Sequence, residues 1–252
     1  MLPIERKNEI LSKLMIDGRV VVGDLATPYG VTEETIRRDL EKLEAEGFAK
    51  KTYGGAVKSD SMTVDLPYTV RKLTNVESKK YIAEKIGALI QDGDTILLDA
   101  STTALFTVKS IFHKKNLTII TNSVEILLDL PAGNDWKVIS TGGNYHQESM
   151  SFRGISTISA VDNYHVDLAV MSCKGFDIKN GITDTSEDNA ELKKAFIRSA
   201  NRRILAVDYT KFDKVSFVKI CNTADVDVVV TDTTPSQKWI TEFNTRNIEL
   251  IF

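Results

Sequence analysis

Cysteine is nearly absent from this chain of 252 residues: only Cys173 and Cys221 occur, with neither metal-like nor disulfide-like spacing. That excludes a disulfide framework or a zinc scaffold and suits a reducing cytoplasm. The three histidines, His113, His146 and His165, are scattered, so a histidine metal site has no pattern to rest on. No cofactor fingerprint is present either. No apolar run approaches the roughly 20 residues that cross a bilayer, and the N-terminus lacks the charged-then-apolar pattern of an export signal. The expectation is a cytoplasmic protein with no membrane contact, metal or cofactor. An excess of one charge is also missing: 32 Lys and Arg face 35 Asp and Glu, for a formal net charge of −3. A globally basic nucleic-acid coat is therefore excluded. Even residues 1–58 carry ten basic and ten acidic side chains. Any affinity for DNA must come from local arrangement.

What is present is a patterned N-terminal third. Ile10, Leu11 and Leu14 fall at helical spacing over about Ile4 to Met15, and Asp17-Gly18 stops that helix. Val20-Val21-Val22 leads into Asp24-Leu25-Ala26, which opens a second helix; Pro28, with no amide to donate, shortens or distorts it. Gly30 supplies the turn before Thr32, and two helices joined in this way form a helix-turn-helix. Thr32 caps the next helix, whose Ile36, Leu40 and Leu43 at i, i+4 and i+7 mark its buried stripe. At about 100° per residue, Glu34 and Arg38 lie nearly opposite Ile36, with Thr35 and Arg37 on the flanks. Such a face suits base edges and phosphates in a major groove, although Glu34 and Arg38 are also an ordinary i, i+4 pair. Beyond Gly47, the run Phe48 to Gly55 reads as a basic hairpin wing with a glycine turn. Arg37, Arg38, Lys50, Lys51 and Lys58 then offer one phosphate-facing stripe, with Tyr53 at the wing's turn.

Length alone calls for a second domain. Val57-Lys58-Ser59-Asp60-Ser61 is a polar connector, and Leu66-Pro67-Tyr68 through Arg71-Lys72 crosses back over one domain or the other. A helix follows over Ser78 to Ile90, with Ile82, Ile86 and Leu89 on one face. Apolar, β-rich runs then alternate with helix-like segments. They begin at Thr95, Leu117, Trp136, Leu168, Ile204, Val226 and Ile248. Short continuous apolar strands separated by helices imply a mostly parallel sheet covered on both faces.

Ligands of such sheets sit beyond the carboxyl ends of the strands. The residues there are Asp99-Ala100-Ser101-Thr102-Thr103, Thr121-Asn122-Ser123, Thr141-Gly142-Gly143, Ser172-Cys173-Lys174-Gly175 and Asp208-Tyr209-Thr210-Lys211. Ser101, Thr102 and Thr103 at a helix start combine free amides with hydroxyls and suit a phosphate. Asn122, Ser123, Gly142 and Gly143 can do the same or let a backbone approach closely. Lys174, Lys211 and Arg153 can neutralise phosphate, while Asp99 and Asp208 can accept sugar hydroxyls. Each segment taken alone is also what helix caps and turns require. Five of them on one sheet edge favour a ligand site.

Two sets of motifs resemble one known family. The Glu34-Thr35-Ile36-Arg37-Arg38-Asp39-Leu40 block, Leu43-Glu44, Gly47 and the closing Tyr53-Gly54-Gly55 resemble the winged helix that begins DeoR-family bacterial transcription regulators. Asp99-x-Ser101-Thr102-Thr103, Thr121-Asn122-Ser123, Gly142-Gly143, Gly181-Ile182-Thr183 ahead of Glu191-x-x-Lys194, and Asp208-Tyr209-Thr210-Lys211-Phe212 resemble the same family's effector domain. Tyr53 stands where many members have histidine, Ser101 where many have glycine, and Lys174 where others often have a small residue. The resemblance implies a winged helix-turn-helix domain over 1–57, a linker over 58–75 and an effector domain over 76–252. That last domain would be α/β, mostly parallel and similar in fold to ribose-5-phosphate isomerase.

The implied function is a transcription regulator, a repressor of a sugar-utilisation operon. Thr32, Glu34, Thr35, Arg37, Arg38, Lys50, Lys51 and Tyr53 would meet double-stranded operator DNA. Asp99, Ser101, Thr102, Thr103, Thr121, Asn122, Ser123, Gly142, Gly143, Arg153, Lys174, Asp208 and Lys211 would hold a phosphorylated sugar. Paired half-sites would call for a homodimer or homotetramer. Two alternatives come from other classes. One is a sugar-phosphate isomerase-like enzyme with an appended DNA-binding domain, in which Asp184, Glu187 and Asp208 move protons. The other is a module whose winged helix binds protein rather than DNA.

Overall fold

The apolar spacing near the N-terminus builds α1 (Pro3–Asp17), which Gly18 ends in the left-handed conformation, φ 74°. In the computed structural model, residues 1–59, 65–131, 133 and 135–252 are described. Asp60 and Ser61, the last residues of the expected polar connector, lie outside the described residues. The chain divides into two compact units, Met1–Val76 and Glu77–Phe252.

In the first unit, β1 (Arg19–Val21) leads into α2 (Val22–Tyr29). Pro28 sits one residue from the end of α2, so the amide it lacks removes only a bond of the last turn, and Gly30 closes the helix at φ 63°. Next come α3 (Glu33–Ala45) and the hairpin of β2 (Ala49–Thr52) and β3 (Gly55–Lys58). β3 pairs antiparallel with both β1 and β2, making a three-stranded wing. Gly55 is required there: a Cβ on it would stand 1.9 Å from the Val20 carbonyl oxygen. Ile10, Leu11 and Leu14 of α1 meet Leu25, Ile36, Leu40 and Leu43 in the core. A short α4 (Tyr68–Leu73), inside the segment read as linker, adds Val70 to that core.

The second unit opens with α5 (Val76–Leu89), β4 (Thr95–Leu98), α6 (Thr102–Ser110) and β5 (Thr118–Thr121). The buried stripe of α5 is Ile82, Ala83, Ile86 and Gly87, while Leu89 is only half-buried. There follow α7 (Val124–Asp129), β6 (Lys137–Ser140), the hairpin β7 (Asn144–His146) and β8 (Ser151–Arg153), and α8 (Ile155–Asp162). The chain continues through β9 (Val166–Met171), β10 (Gly175–Asp177), β11 (Gly181–Asp184), α9 (Glu187–Ser199) and β12 (Ala200–Ala206). It ends with β13 (Val218–Cys221), β14 (Val228–Val230), α10 (Gln237–Thr245) and β15 (Glu249–Ile251).

All seven apolar runs become strands of one sheet in the order β15-β14-β12-β9-β4-β5-β6. Every neighbouring pair in it is parallel. β14 is buried throughout and β9 at all but one position, as a sheet covered on both faces demands. From β4 the chain moves outward to β5 and β6, then returns to the other side of β4 with β9 and proceeds to β12, β14 and β15. The direction of winding reverses between β4 and β9, and the carboxyl ends of those two strands flank the natural crevice of such a sheet. Two pieces have no counterpart in the sequence reading: the β7–β8 hairpin and the small antiparallel sheet β10-β11-β13. Most of their strands are three residues long, too short to establish a period. Among the described residues, no helix is long and apolar enough to cross a membrane.

Candidate functional site

On the first unit, Thr32 caps α3 by accepting the Thr35 amide at 3.3 Å, and the two threonine hydroxyls lie 3.0 Å apart. With Ile36, Leu40 and Leu43 turned inward, the outer face of α3 presents Glu34, Arg37 and Arg38, with Thr35 half-buried at its edge. Arg37 donates to Glu33 at 2.9 Å and Arg38 lies 3.5 Å from Glu34, both one turn back along the helix. Asp39 faces the opposite way and is buried against Arg6 of α1 at 2.6 Å. Tyr53 is fully exposed at the tip of the wing.

The five-cation stripe expected from the sequence divides on the wing. Side chains alternate across a strand, so Lys51 and Lys58 share the face of buried Ala49 while Lys50 points the other way. Lys51 turns toward α3, where its ammonium meets Glu41 at 2.7 Å and its amide donates to Glu44 at 2.8 Å. The Lys51 contact holds the Glu41 carboxyl below its ordinary range.

On the second unit, hydrogen bonds tie together the carboxyl ends of β4, β5 and β9. Asp99, buried just past β4, accepts the Ser101 amide at 3.0 Å and, across the reversal point, the Ser172 amide at 3.0 Å. Ser101 caps α6 by accepting the Ala104 amide at 3.1 Å, and Thr102 and Thr103 are buried in its first turn. Thr121 donates to the Leu98 carbonyl at 2.8 Å and accepts the Ser123 amide at 3.0 Å, tying β5 to β4. Ser123 caps α7. Asn122 donates through Nδ2 to the Phe152 carbonyl at 3.0 Å, bringing in the hairpin that carries Arg153. A flipped amide would set oxygen against oxygen, so Oδ1 is the remaining atom; it is buried and accepts no hydrogen bond among the described residues.

Gly143 serves close approach, while Gly142 stands in open space and takes a left-handed conformation, φ 62°. A Cβ on Gly143 would stand 2.0 Å from the Thr157 hydroxyl, which donates to the Gly142 carbonyl at 2.8 Å. Asp208, past β12, is buried and accepts the Thr210 amide and hydroxyl. Burial alone would raise its carboxyl; the Lys211 charge and the Thr210 hydrogen bonds prevail and lower it.

The strongest electrostatic feature is Lys193, the neighbour of the Lys194 expected from the sequence. Lys194 is half-exposed and pairs with Glu191 at 2.7 Å on the outside of α9. Lys193, its side chain 12% exposed, donates to Asp184 at 2.6 Å and to the Ser172 carbonyl at 2.6 Å, and lies 3.6 Å from Asp99. Burial pulls its ammonium down, but Asp184 and Asp99 outweigh burial and hold it above its ordinary range. Asp184 answers in kind: burial would raise it, while Lys193 and Lys174 hold it well below the usual carboxylate range. A signal for Lys193 was present, since it falls three residues after buried Ala190 and three before buried Phe196.

The Cys173 thiol just past β9 is buried and feels the charges of Lys193, Lys211, Asp184 and Asp208. Burial dominates there and pushes the Cys173 thiol up to about 12. At pH 8 only about one thiol in ten thousand is then ionised, and the thiolate is the reactive form. Folded protein treated with a maleimide at pH 8 should leave Cys173 unlabelled, and denaturant should expose it; rapid labelling of the native form would contradict this burial.

These features define a winged-helix DNA reader joined to a parallel α/β sensor. Two family models match the chain: "DeoR-like helix-turn-helix domain" over residues 6–62 and "DeoR C terminal sensor domain" over residues 74–233. The chain belongs to the DeoR family of transcription regulators. It is 39% identical over 232 residues to the uncharacterized HTH-type transcriptional regulator YulB of Bacillus subtilis (strain 168), covering 92% of this chain and 90% of that one. It is 27% identical over 246 residues to the glycerol-3-phosphate regulon repressor of Escherichia coli (strain K12), covering 98% and 97%. Among solved structures, ribose 5-phosphate isomerase from Plasmodium falciparum is similar over 53% of this chain and 52% of that one, at 15% identity and a TM-score of 0.38. Family membership makes the chain a regulator and sets aside the enzyme alternative.

Proposed function

We propose that the chain is a cytoplasmic repressor of a sugar-utilisation operon, acting as a homodimer or homotetramer released from its operator by a phosphorylated sugar. In this reading Thr32, Glu34, Thr35, Arg37 and Arg38 enter the major groove, while Lys50, Lys51 and Tyr53 meet the backbone from the wing. The observation that carries the effector assignment is Asp99, which bridges the ends of β4 and β9 where the sheet reverses direction. Lys193 lies 3.6 Å from it, and Lys174 and Lys211 follow β9 and β12 at the same sheet edge, cations that suit an anion. The capped start of α6 suits the phosphate, and the buried Asn122 Oδ1 suits a hydroxyl donor. Release follows by linkage: an effector that prefers the DNA-incompetent arrangement draws the population away from the operator.

The test is binding to the chain's own upstream DNA, with and without a panel of phosphorylated sugars. Arg38→Ala should weaken operator binding by about 1–3 kcal/mol, the worth of a good base contact, and leave effector binding intact. Lys211→Met should do the reverse, giving a repressor that no phosphosugar releases. Operator binding by the Arg38 variant at full strength would end the recognition-helix assignment. Binding that no phosphosugar alters would end the effector assignment.

A further inference from the structure

The DNA-facing cations of the first unit come with their own anions. Arg37 is paired with Glu33, Arg38 with Glu34, and Lys51 with Glu41, at 2.9, 3.5 and 2.7 Å. All six side chains are well exposed, from 35% for Lys51 to 72% for Arg38. Three of the five expected phosphate-facing cations are thus met by a carboxylate that a phosphate would have to displace. The two helix pairs run with glutamate N-terminal to arginine at i, i+4, the favourable orientation, so α3 itself enforces them. Pairs this exposed add little to folding. Their position matters more for binding: Glu34–Arg38 lies opposite the buried stripe of α3, Glu33–Arg37 on its flank, and Lys51–Glu41 between the wing and α3.

We infer that Glu33 and Glu41, together with Glu34, act as built-in competitors for the phosphate backbone and set the chain's general affinity for DNA. Each freed cation that neutralises a phosphate contributes about 0.9 to the slope of log affinity against log salt on duplex DNA. A cation already neutralised by a carboxylate releases fewer counterions and contributes less. The near balance of charge in residues 1–58 is then a functional setting: sequence-independent binding is kept weak, so less protein is held by the large excess of random sites. The inference rests on the recognition-face assignment of the preceding section.

The experiment compares wild type, E33Q/E41Q, and E84Q, which removes one exposed carboxylate of the second unit, on random-sequence and operator duplexes over a salt series. Glutamine keeps the size of each side chain and removes only its charge. Freeing Arg37 and Lys51 is expected to tighten random-DNA binding about tenfold at low salt and to steepen the slope by roughly two. The operator should tighten by a similar factor, and E84Q should leave the slope unchanged. Unchanged or weaker random-DNA binding by a folded E33Q/E41Q protein would overturn the inference. An equal shift in E84Q would overturn it too, by assigning the effect to net charge. If Arg38→Ala still weakens the operator in either case, the recognition face stands without its competitors; if it does not, the face itself is misassigned.

Discussion

Lys193→Met is expected to destabilise the second unit by about 3–5 kcal/mol, the usual loss when one partner of a buried ion pair is removed. The physical reason lies in Asp184, which is completely buried and would lose its closest countercharge. The Ser172 carbonyl would lose its donor and Asp99 a countercharge 3.6 Å away, both of which join α9 to the strand ends. For a domain of this size the melting temperature should fall by roughly 6–20 °C. The pH dependence separates this account from simple loss of packing. In the wild type, the Asp184 carboxyl lies below its ordinary value, so its contribution is complete at neutral pH and lost as pH falls through its depressed folded-state value. Without Lys193, burial dominates and raises that carboxyl, and the variant relieves itself by taking up a proton in mild acid. The stability gap should therefore be widest near neutrality and narrow as the pH is lowered. Lys193→Met/Asp184→Asn should recover much of the loss, giving a coupling energy well above 1 kcal/mol in the double-mutant cycle. A gap that is small and flat with pH would show that the pair carries little.

Lys193 also marks where the sequence stopped being legible. The seven strands could be read because central parallel strands are buried on both faces and write themselves as continuous apolar runs, as Val228–Val230 does. Thr32 and Ser101 could be read because capping is local chemistry: hydroxyl and amide lie three residues apart in the chain. The order of strands could not be read. That β9 returns to lie beside β4, and so sets Asp99 against Ser172, depends on contacts 73 residues apart. The spacing of Lys193 was legible, but its carboxylate partners were hidden for a related reason. A lysine on a helix reads as solvated until the strands that supply its carboxylates have been placed around it. The divided wing stripe is a simpler case, since the alternation that separates Lys50 from Lys51 was available once β2 was accepted as a strand.

A second large effect is expected at Asp39, whose neighbours Arg37 and Arg38 face outward while it faces in. Asp39 and Arg6 are nearly inaccessible to solvent, 2.6 Å apart, and join α3 to α1. Asp39→Ala would leave a guanidinium buried without its partner, and arginine cannot relieve itself by losing a proton. The expected loss is again about 3–5 kcal/mol, from the smaller unit, with fewer contacts in reserve. Operator affinity should fall as well, although Asp39 itself faces away from the side on which Arg37 and Arg38 are exposed. A helix no longer held to α1 presents Thr35 and Arg38 over a range of poses, and base contacts tolerate little misplacement. The decisive variant is Arg6→Met/Asp39→Leu, which replaces the pair with apolar side chains of similar bulk. Buried ion pairs exchanged in this way often lose nothing. If the pair acts only as a clamp, the double variant should regain both melting temperature and operator binding. Recovery of stability without operator binding would mean that the charge of Asp39 sets the pose of the recognition helix, beyond what packing alone provides.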